Sequence, residues 1–176
     1  DAVSRDVDAT KFGPTIWGVD VARFGDDESV IHIRIGRDHA TIPTLRFRGM
    51  DTMALAARVV EMAREHSVDA ILIDGGGVGG GVVDRCRQLG LDVIEVNFGS
   101  KATQSGMFNM RSQMWYNLKE ALKAGVRLPD DEDLRTDLTS LEYGYTTNNL
   151  LKLESKDDAK KRGLSSPDLA DAMALT

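Results

Sequence analysis

Apolar positions along this chain alternate between a period of two and a period near 3.6, and the switches mark out an α/β domain. Ile16 to Val21 is a short β-type run. Val30, His32 and Arg34 alternate with Ile31, Ile33 and Ile35, as expected of a strand with one wet face. Gly36-Arg37-Asp38 turns the chain, and Ala40 to Phe47 reads as a third strand, with Pro43 arguing for an edge or a bulge. Three such strands in succession suggest an antiparallel meander. From Asp51, a plausible N-cap, Met53, Leu55, Ala56, Val59, Val60 and Ala63 recur at helical spacing as far as Ser67. Ala70 to Ile73 is apolar without alternation, the pattern of a central parallel strand covered on both faces.

A glycine-rich turn, Gly75 to Gly81, leads into a predicted helix from Val82 to Leu89, closed by Gly90, and then a strand from Val93 to Val96. This is a β-α-β unit. A long helix is predicted from Met107 to Ala124 and a polar one from Asp131 to Leu141. A hairpin from Tyr143 to Leu153 then turns at Asn148-Asn149. Ser166 as N-cap, with Pro167 at the first helical position, starts a terminal helix. Residues Asp1 to Pro14 carry no apolar period and read as a linker or the tail of a preceding domain, leaving 15–176 as the folded unit. The expectation is an α/β domain whose central mixed sheet, an antiparallel meander plus parallel strands, is flanked by helices.

Composition narrows this. The chain has 176 residues, 41% apolar and 28% charged, enough for one domain with a proper core. It carries neither an apolar run of membrane-spanning length nor a signal peptide, so a soluble domain without membrane contact is expected. Cys86 is the single cysteine, which excludes an internal disulfide; its apolar helical context makes it core, and a reducing, cytoplasmic setting fits. The absence of a starting Met, and a helical pattern still running at Ala174-Leu175-Thr176, lead us to expect a domain excised from something larger, with its last helix truncated.

The residues that could carry chemistry are mostly aspartates. Asp20 stands inside the first strand after Trp17-Gly18-Val19, and Asp74 at the C-terminal end of Ile71-Leu72-Ile73. A carboxylate flanked by apolar residues needs a cation, hydrogen bonds or solvent. Asp168 and Asp171 fall at i and i+3 on one face of the terminal helix. Each also has a bland reading, as a strand-end cap or as first-turn acids favoured by the helix dipole. Gly75, Gly77 and Gly80 satisfy a dinucleotide-type G-x-G-x-x-G, with Glu95 about 20 residues on. Against that reading, Asp74 would set a negative charge beside the pyrophosphate, and the antiparallel meander is foreign to that fold. No Lys-Ser or Lys-Thr follows the glycines, so a phosphate loop of the ATPase type fails. The glycines otherwise serve close helix–strand packing. His32, His39 and His66 are scattered and read as surface residues, not ligands.

Three motifs carry a resemblance: Trp17-Gly18-Val19-Asp20-Val21-Ala22-Arg23-Phe24-Gly25-Asp26-Asp27; Ile73-Asp74 with Gly77-Val78-Gly79-Gly80-Gly81-Val82-Val83-Asp84; and Ser166-Pro167-Asp168-Leu169-Ala170-Asp171-Ala172. Together, and in this order, they resemble the C-terminal nuclease domain of the large terminase subunit of tailed bacteriophages. The resemblance covers nearly the whole chain after Pro14. It implies a ribonuclease H-like fold, related to the Holliday-junction resolvases, and cutting of concatemeric viral DNA as a motor fills the capsid. It also implies a packaging ATPase domain on the same polypeptide, the small terminase subunit and the portal as partners, and work in the host cytoplasm, transiently at the procapsid. Carried over by motif, Asp20, Asp74 and Asp168 form the catalytic, metal-binding set, with Asp171 a further candidate ligand.

The chemistry agrees with that carry-over. Phosphodiester hydrolysis needs an activated water and neutralisation of the attacking and leaving oxygens, which two Mg²⁺ ions about 3.5 to 4 Å apart supply. Hard cations prefer oxygen ligands, so aspartates suffice, and Mn²⁺ should substitute. Asp20 is the expected bridging carboxylate, with Asp74 on one ion and Asp168, with Asp171, on the other. Binding of double-stranded DNA must overcome a net charge of −6. Basic residues cluster between Lys101 and Arg127 and again from Lys152 to Arg162, so Lys101, Arg111, Lys152, Lys156 and Lys160 are candidate phosphate contacts, with Lys156 nearest the scissile strand. A solvated helix face is the alternative for each cluster. Other readings of the whole are a structure-selective resolvase of the same fold and a non-catalytic nucleic-acid-binding module.

Overall fold

A computed structural model describes residues 2–5, 12–22 and 27–176. The 23–26 stretch of the first motif and half of the N-terminal tail, residues 1 and 6–11, lie outside the described residues. Strands β1 (Thr15–Asp20), β2 (Glu28–Ile35), β3 (Leu45–Arg48), β4 (Ala70–Asp74) and β5 (Ile94–Val96) form one sheet in the order β3-β2-β1-β4-β5. β1–β2 and β2–β3 are antiparallel, whereas β4 runs parallel to β1 and β5 parallel to β4. This is the mixed sheet expected, meander first and parallel strands after.

Helices cover both faces. On one side α1 (Thr52–Glu65) and α2 (Gly79–Gln88) bury Leu55, Val59, Val82, Val83 and Cys86 against Trp17, Val19, Ile31, Ile71 and Ile73. Asp51 caps α1 as expected, its side chain accepting from Ala54 N. On the other side α3 (Met110–Ala124), α4 (Glu132–Ser140) and α6 (Asp168–Ala174) pack Trp115, Leu118, Leu134, Leu169 and Met173 around Val30. β6 (Tyr143–Tyr145) and β7 (Leu151–Leu153) make the hairpin beside α3, with Asn149 in the left-handed region at φ 57°. A short helix absent from the expectation, α5 (Lys156–Lys161), follows it.

Several sequence expectations are corrected. The strand is Leu45–Arg48, so only the last three residues of the Ala40–Phe47 run belong to it; before it, the Asp38 carboxylate accepts from Ala40 N and Thr41 N and folds that backbone into a turn. β2 has no wet face, because α6 lies across it: Val30 is 0% and His32 1% exposed. His32 and His39 are accordingly buried, not surface residues; they hydrogen-bond each other at 2.9 Å, and His32 also bonds Thr44 Oγ1. α2 begins at Gly79, three residues early, and α3 begins at Met110, where Asn109 caps it. Ser166 does not cap α6; Pro167 is the N-cap and makes no side-chain capping bond. Of the expected N-terminal linker, Ala2 and Arg5 are docked on the domain, through Leu128 N to Ala2 O and Arg5 Nη1 to the Leu122 and Val126 carbonyls.

Candidate active site

The parallel pairing of β1 with β4 puts Val19 opposite Ile73, so the next residues, Asp20 and Asp74, end neighbouring strands on the same face of the sheet. Asp20 is 3% exposed. Asp74 Oδ1 accepts from Gly76 N at 3.1 Å and Phe98 N at 3.2 Å, which fixes its orientation. The glycine loop exists to let α2 start there: a Cβ on Gly79 would collide with the Asp74 carbonyl oxygen, and Gly77 turns at φ +59°.

α6 brings the remaining acids against this sheet end. It can lie so close because Gly18 has no Cβ; one there would run into the Ala172 carbonyl oxygen. Asp20 Oδ2, Asp168 Oδ1 and Asp171 Oδ2 then converge on a single cation, the Lys156 ammonium, at 3.1, 3.2 and 3.0 Å. Asp168 also accepts from Ser166 Oγ, and from Glu28 N at 3.1 Å. Asp171 is fully buried, and its Oδ1 accepts from Arg111 Nε at 2.9 Å and Trp115 Nε1 at 2.7 Å. Both of its oxygens therefore serve donors, as do both oxygens of Asp168, and Arg111 gives Asp171 a second cation besides Lys156.

Burial pushes the Asp20 carboxyl up to about 8, against the pull of Lys156 and with the push of Asp171 and Asp168. Burial also raises Asp74, opposed by its two backbone donors. Burial would raise Asp171 too, but the Lys156 and Arg111 charges, with the Arg111 and Trp115 hydrogen bonds, outweigh it and hold that carboxyl below its ordinary range. Burial works to lower Lys156, and the Asp20, Asp171 and Asp168 charges overcome it, keeping the amine firmly protonated. The cluster thus stores several carboxylates around one monovalent cation. Among the described residues no three His, Cys, Asp or Glu side chains are grouped closely enough to hold a metal ion, and the Lys156 ammonium sits where three of the carboxylates meet. The donor set, all carboxylate oxygen, nonetheless suits a hard divalent cation.

The basic candidates separate. Arg111 is corrected: it is 8% exposed, fork-bonded to Asp171 and donating to Glu154 O, so it cannot contact phosphate. Lys160 is exposed but paired with Asp27 at 2.9 Å. Lys101 is exposed, and Lys152 lies over the Phe108 ring at 5.0 Å. One site residue escaped the sequence analysis, and Arg111 was given the wrong role there. Asp137 on α4 accepts from Leu169 N and Ala170 N, and burial, opposed by those bonds, raises its carboxyl to about 7. Its place at helical spacing among Leu134, Leu138 and Leu141 was the available signal, as was that of Arg111 with Trp115 and Leu118.

No protein-family model matches the sequence, and no curated relative does. Solved structures do match in three dimensions. The nuclease domain of the large terminase subunit gp2 of bacterial virus Sf6 superposes with a TM-score of 0.78 at 20% identity, over 99% of this chain and 93% of that one. A lysine-to-alanine variant of the same domain, with manganese and beta-thujaplicinol, gives 0.77 at 22% over 93% and 87%. The large terminase nuclease from thermophilic phage G20c with bound magnesium gives 0.69 at 18% over 92% and 79%. At these identities the likeness establishes the fold: this chain has the ribonuclease H-like architecture of phage large terminase nuclease domains.

Proposed function

We propose that this domain is a metal-dependent DNA endonuclease that cuts concatemeric viral DNA during genome packaging. The observation that carries the reading is the convergence of Asp20, Asp168 and Asp171 on one cation within 3.2 Å, with Asp74 ending the adjacent strand. Neighbours of the same fold are nucleases solved with manganese, magnesium or cobalt.

Asp20, Asp74 and Asp168 would hold two divalent ions, Mg²⁺ with Mn²⁺ able to substitute. Bound there, the ions supply charge neutralisation at the phosphate and an activated water. The chain's own residues do the rest. Asp171, anchored by Arg111 and Trp115, keeps a fixed negative charge behind the site and tethers Lys156. Lys156 holds the carboxylates together against their mutual repulsion, and its side chain, 34% exposed, is free to leave the cage and face a phosphate once another cation takes its place. Lys101 and Lys152, both exposed, are the proposed contacts to the double-stranded backbone, with the Phe108 ring beside Lys152. Residues 15–176 are then the nuclease unit of a polypeptide that also carries a packaging ATPase, working with the small terminase subunit and portal in the host cytoplasm. No helix among the described residues is long and apolar enough to cross a membrane.

Incubating the domain with supercoiled plasmid and with a four-way junction, in Mg²⁺, Mn²⁺ or chelator, tests this. Nicking and linearisation that require metal and do not favour the junction are expected. Selective cutting of the junction would assign a resolvase instead, and DNA retention without scission a binding module.

A further inference from the structure

Asp168 and Asp171 sit on a helix of only seven residues, so the aim of both carboxylates depends on how its first turn is held. The local sequence does not hold it. Pro167, the N-cap, contributes no side-chain bond, and the Ser166 hydroxyl is turned onto Asp168. The acceptor comes instead from the middle of α4, where Asp137 Oδ2 receives Leu169 N at 3.1 Å and Ala170 N at 3.3 Å. The two amides follow Asp168 directly in sequence. Asp137 itself is 8% exposed, among Leu134 and Leu138, so its backbone is fixed by the packing of α4.

We propose that Asp137 is a positioning residue for the metal site: it caps α6 from α4, and so sets the direction in which Asp168 and Asp171 point. This rests on the nuclease reading above. Its Oδ2 accepts two amides of α6, and its task is to aim the acids of that helix. That task needs an acceptor at this place and not a negative charge, and an Asn side-chain carbonyl accepts as well as a carboxylate does at a helix start.

The test is Mn²⁺ affinity, by calorimetry or by the electron paramagnetic resonance of free Mn²⁺, for wild type, Asp137→Asn, Asp137→Ala and Asp137→Leu, with melting in EDTA and plasmid nicking alongside. Leu keeps the branched shape of Asp at a larger volume and carries no carboxylate to desolvate, so it leaves no cavity where Ala does and should fold even where Ala does not. We expect Ala and Leu to weaken Mn²⁺ binding about 10- to 100-fold, as loss of an outer partner of a metal ligand does, and Asn to stay within about threefold of wild type. Nicking should follow affinity and be rescued in Asn. Wild-type affinity in Ala or Leu would overturn the proposal. So would an Asn variant as weak as Ala, which would make the charge itself the requirement, or loss of the fold in both Ala and Leu, which would make Asp137 a general stabiliser. A wild type that binds no Mn²⁺ would instead sink the metal-site reading, and this proposal with it.

Discussion

Lys156 is the residue on which the charge balance of the site turns, since its ammonium lies within 3.2 Å of Asp20, Asp168 and Asp171. Replacing it by Ala leaves these carboxylates facing one another. The cost should be on the order of 2 kcal/mol, below the ~3–5 kcal/mol of a fully buried pair, because the side chain is partly solvated. Proton uptake by Asp20, already raised to about 8, limits it further. Lys156→Ala should therefore melt lower than wild type in EDTA and gain more than wild type from added Mn²⁺, since the competing cation is gone. Equal melting in EDTA would mean that the ammonium does not hold the cluster. At this scale the need of Asp20, Asp74 and Asp168 for partners was legible in the sequence, because a lone acid beside an apolar run demands one: Asp20 and Asp168 find Lys156, and Asp74 finds two backbone amides. Arg111 could not be read as that partner's anchor. Charge counting put it in a basic cluster, and only tertiary packing turns it inward to Asp171.

Among the elements, α6 decides the geometry, and Gly18 decides how closely α6 approaches β1. Gly18→Ala sets a Cβ against the Ala172 backbone carbonyl, which cannot rotate away as a side-chain tip could. We expect about 1–3 kcal/mol of destabilisation from this overpacking, together with weaker metal binding as α6 shifts. Gly144→Ala, in open space on the hairpin, should change stability by less than about 0.5 kcal/mol. Denaturant unfolding of both variants checks the contrast, and equal effects would contradict it. The periodic elements α1, β1, β2 and β4 were legible because each presents a continuous apolar stripe. The errors fell where tertiary contacts override local pattern. β2 alternates as though half wet, yet its second face is covered by a helix more than 130 residues away in sequence. α5 is too short for periodicity and announces itself only through Ser155, which accepts from Asp158 N.

For the whole molecule, the same covering of β2 builds an acid sensitivity into the fold. Burial, aided by the neighbouring His39 and Arg34 charges, lowers His32 to about 3; burial and Arg34, opposed by Asp38, lower His39 to about 4. Unfolding restores both to about 6.5, so the unfolded chain binds more protons below that pH. The neutral pair's contribution is complete above about 6.5 and is lost as pH falls through that value towards the folded pKa values, by on the order of 2 kcal/mol for each ring between pH 7 and 5. A His32→Gln/His39→Gln variant should show a shallower fall in unfolding free energy over this range. A slope equal to wild type would contradict the assignment.

The aspartate cluster as a cation-holding, DNA-cutting site is tested most directly by scission of supercoiled plasmid in Mn²⁺ by wild type and Asp20→Asn, each first melted in EDTA. Asn keeps the size of Asp20 and removes a charge that burial disfavours, so the variant should melt at or above wild type without metal. Wild type should nick and linearise the plasmid while folded Asp20→Asn leaves it supercoiled; undiminished cutting by Asp20→Asn would contradict the account.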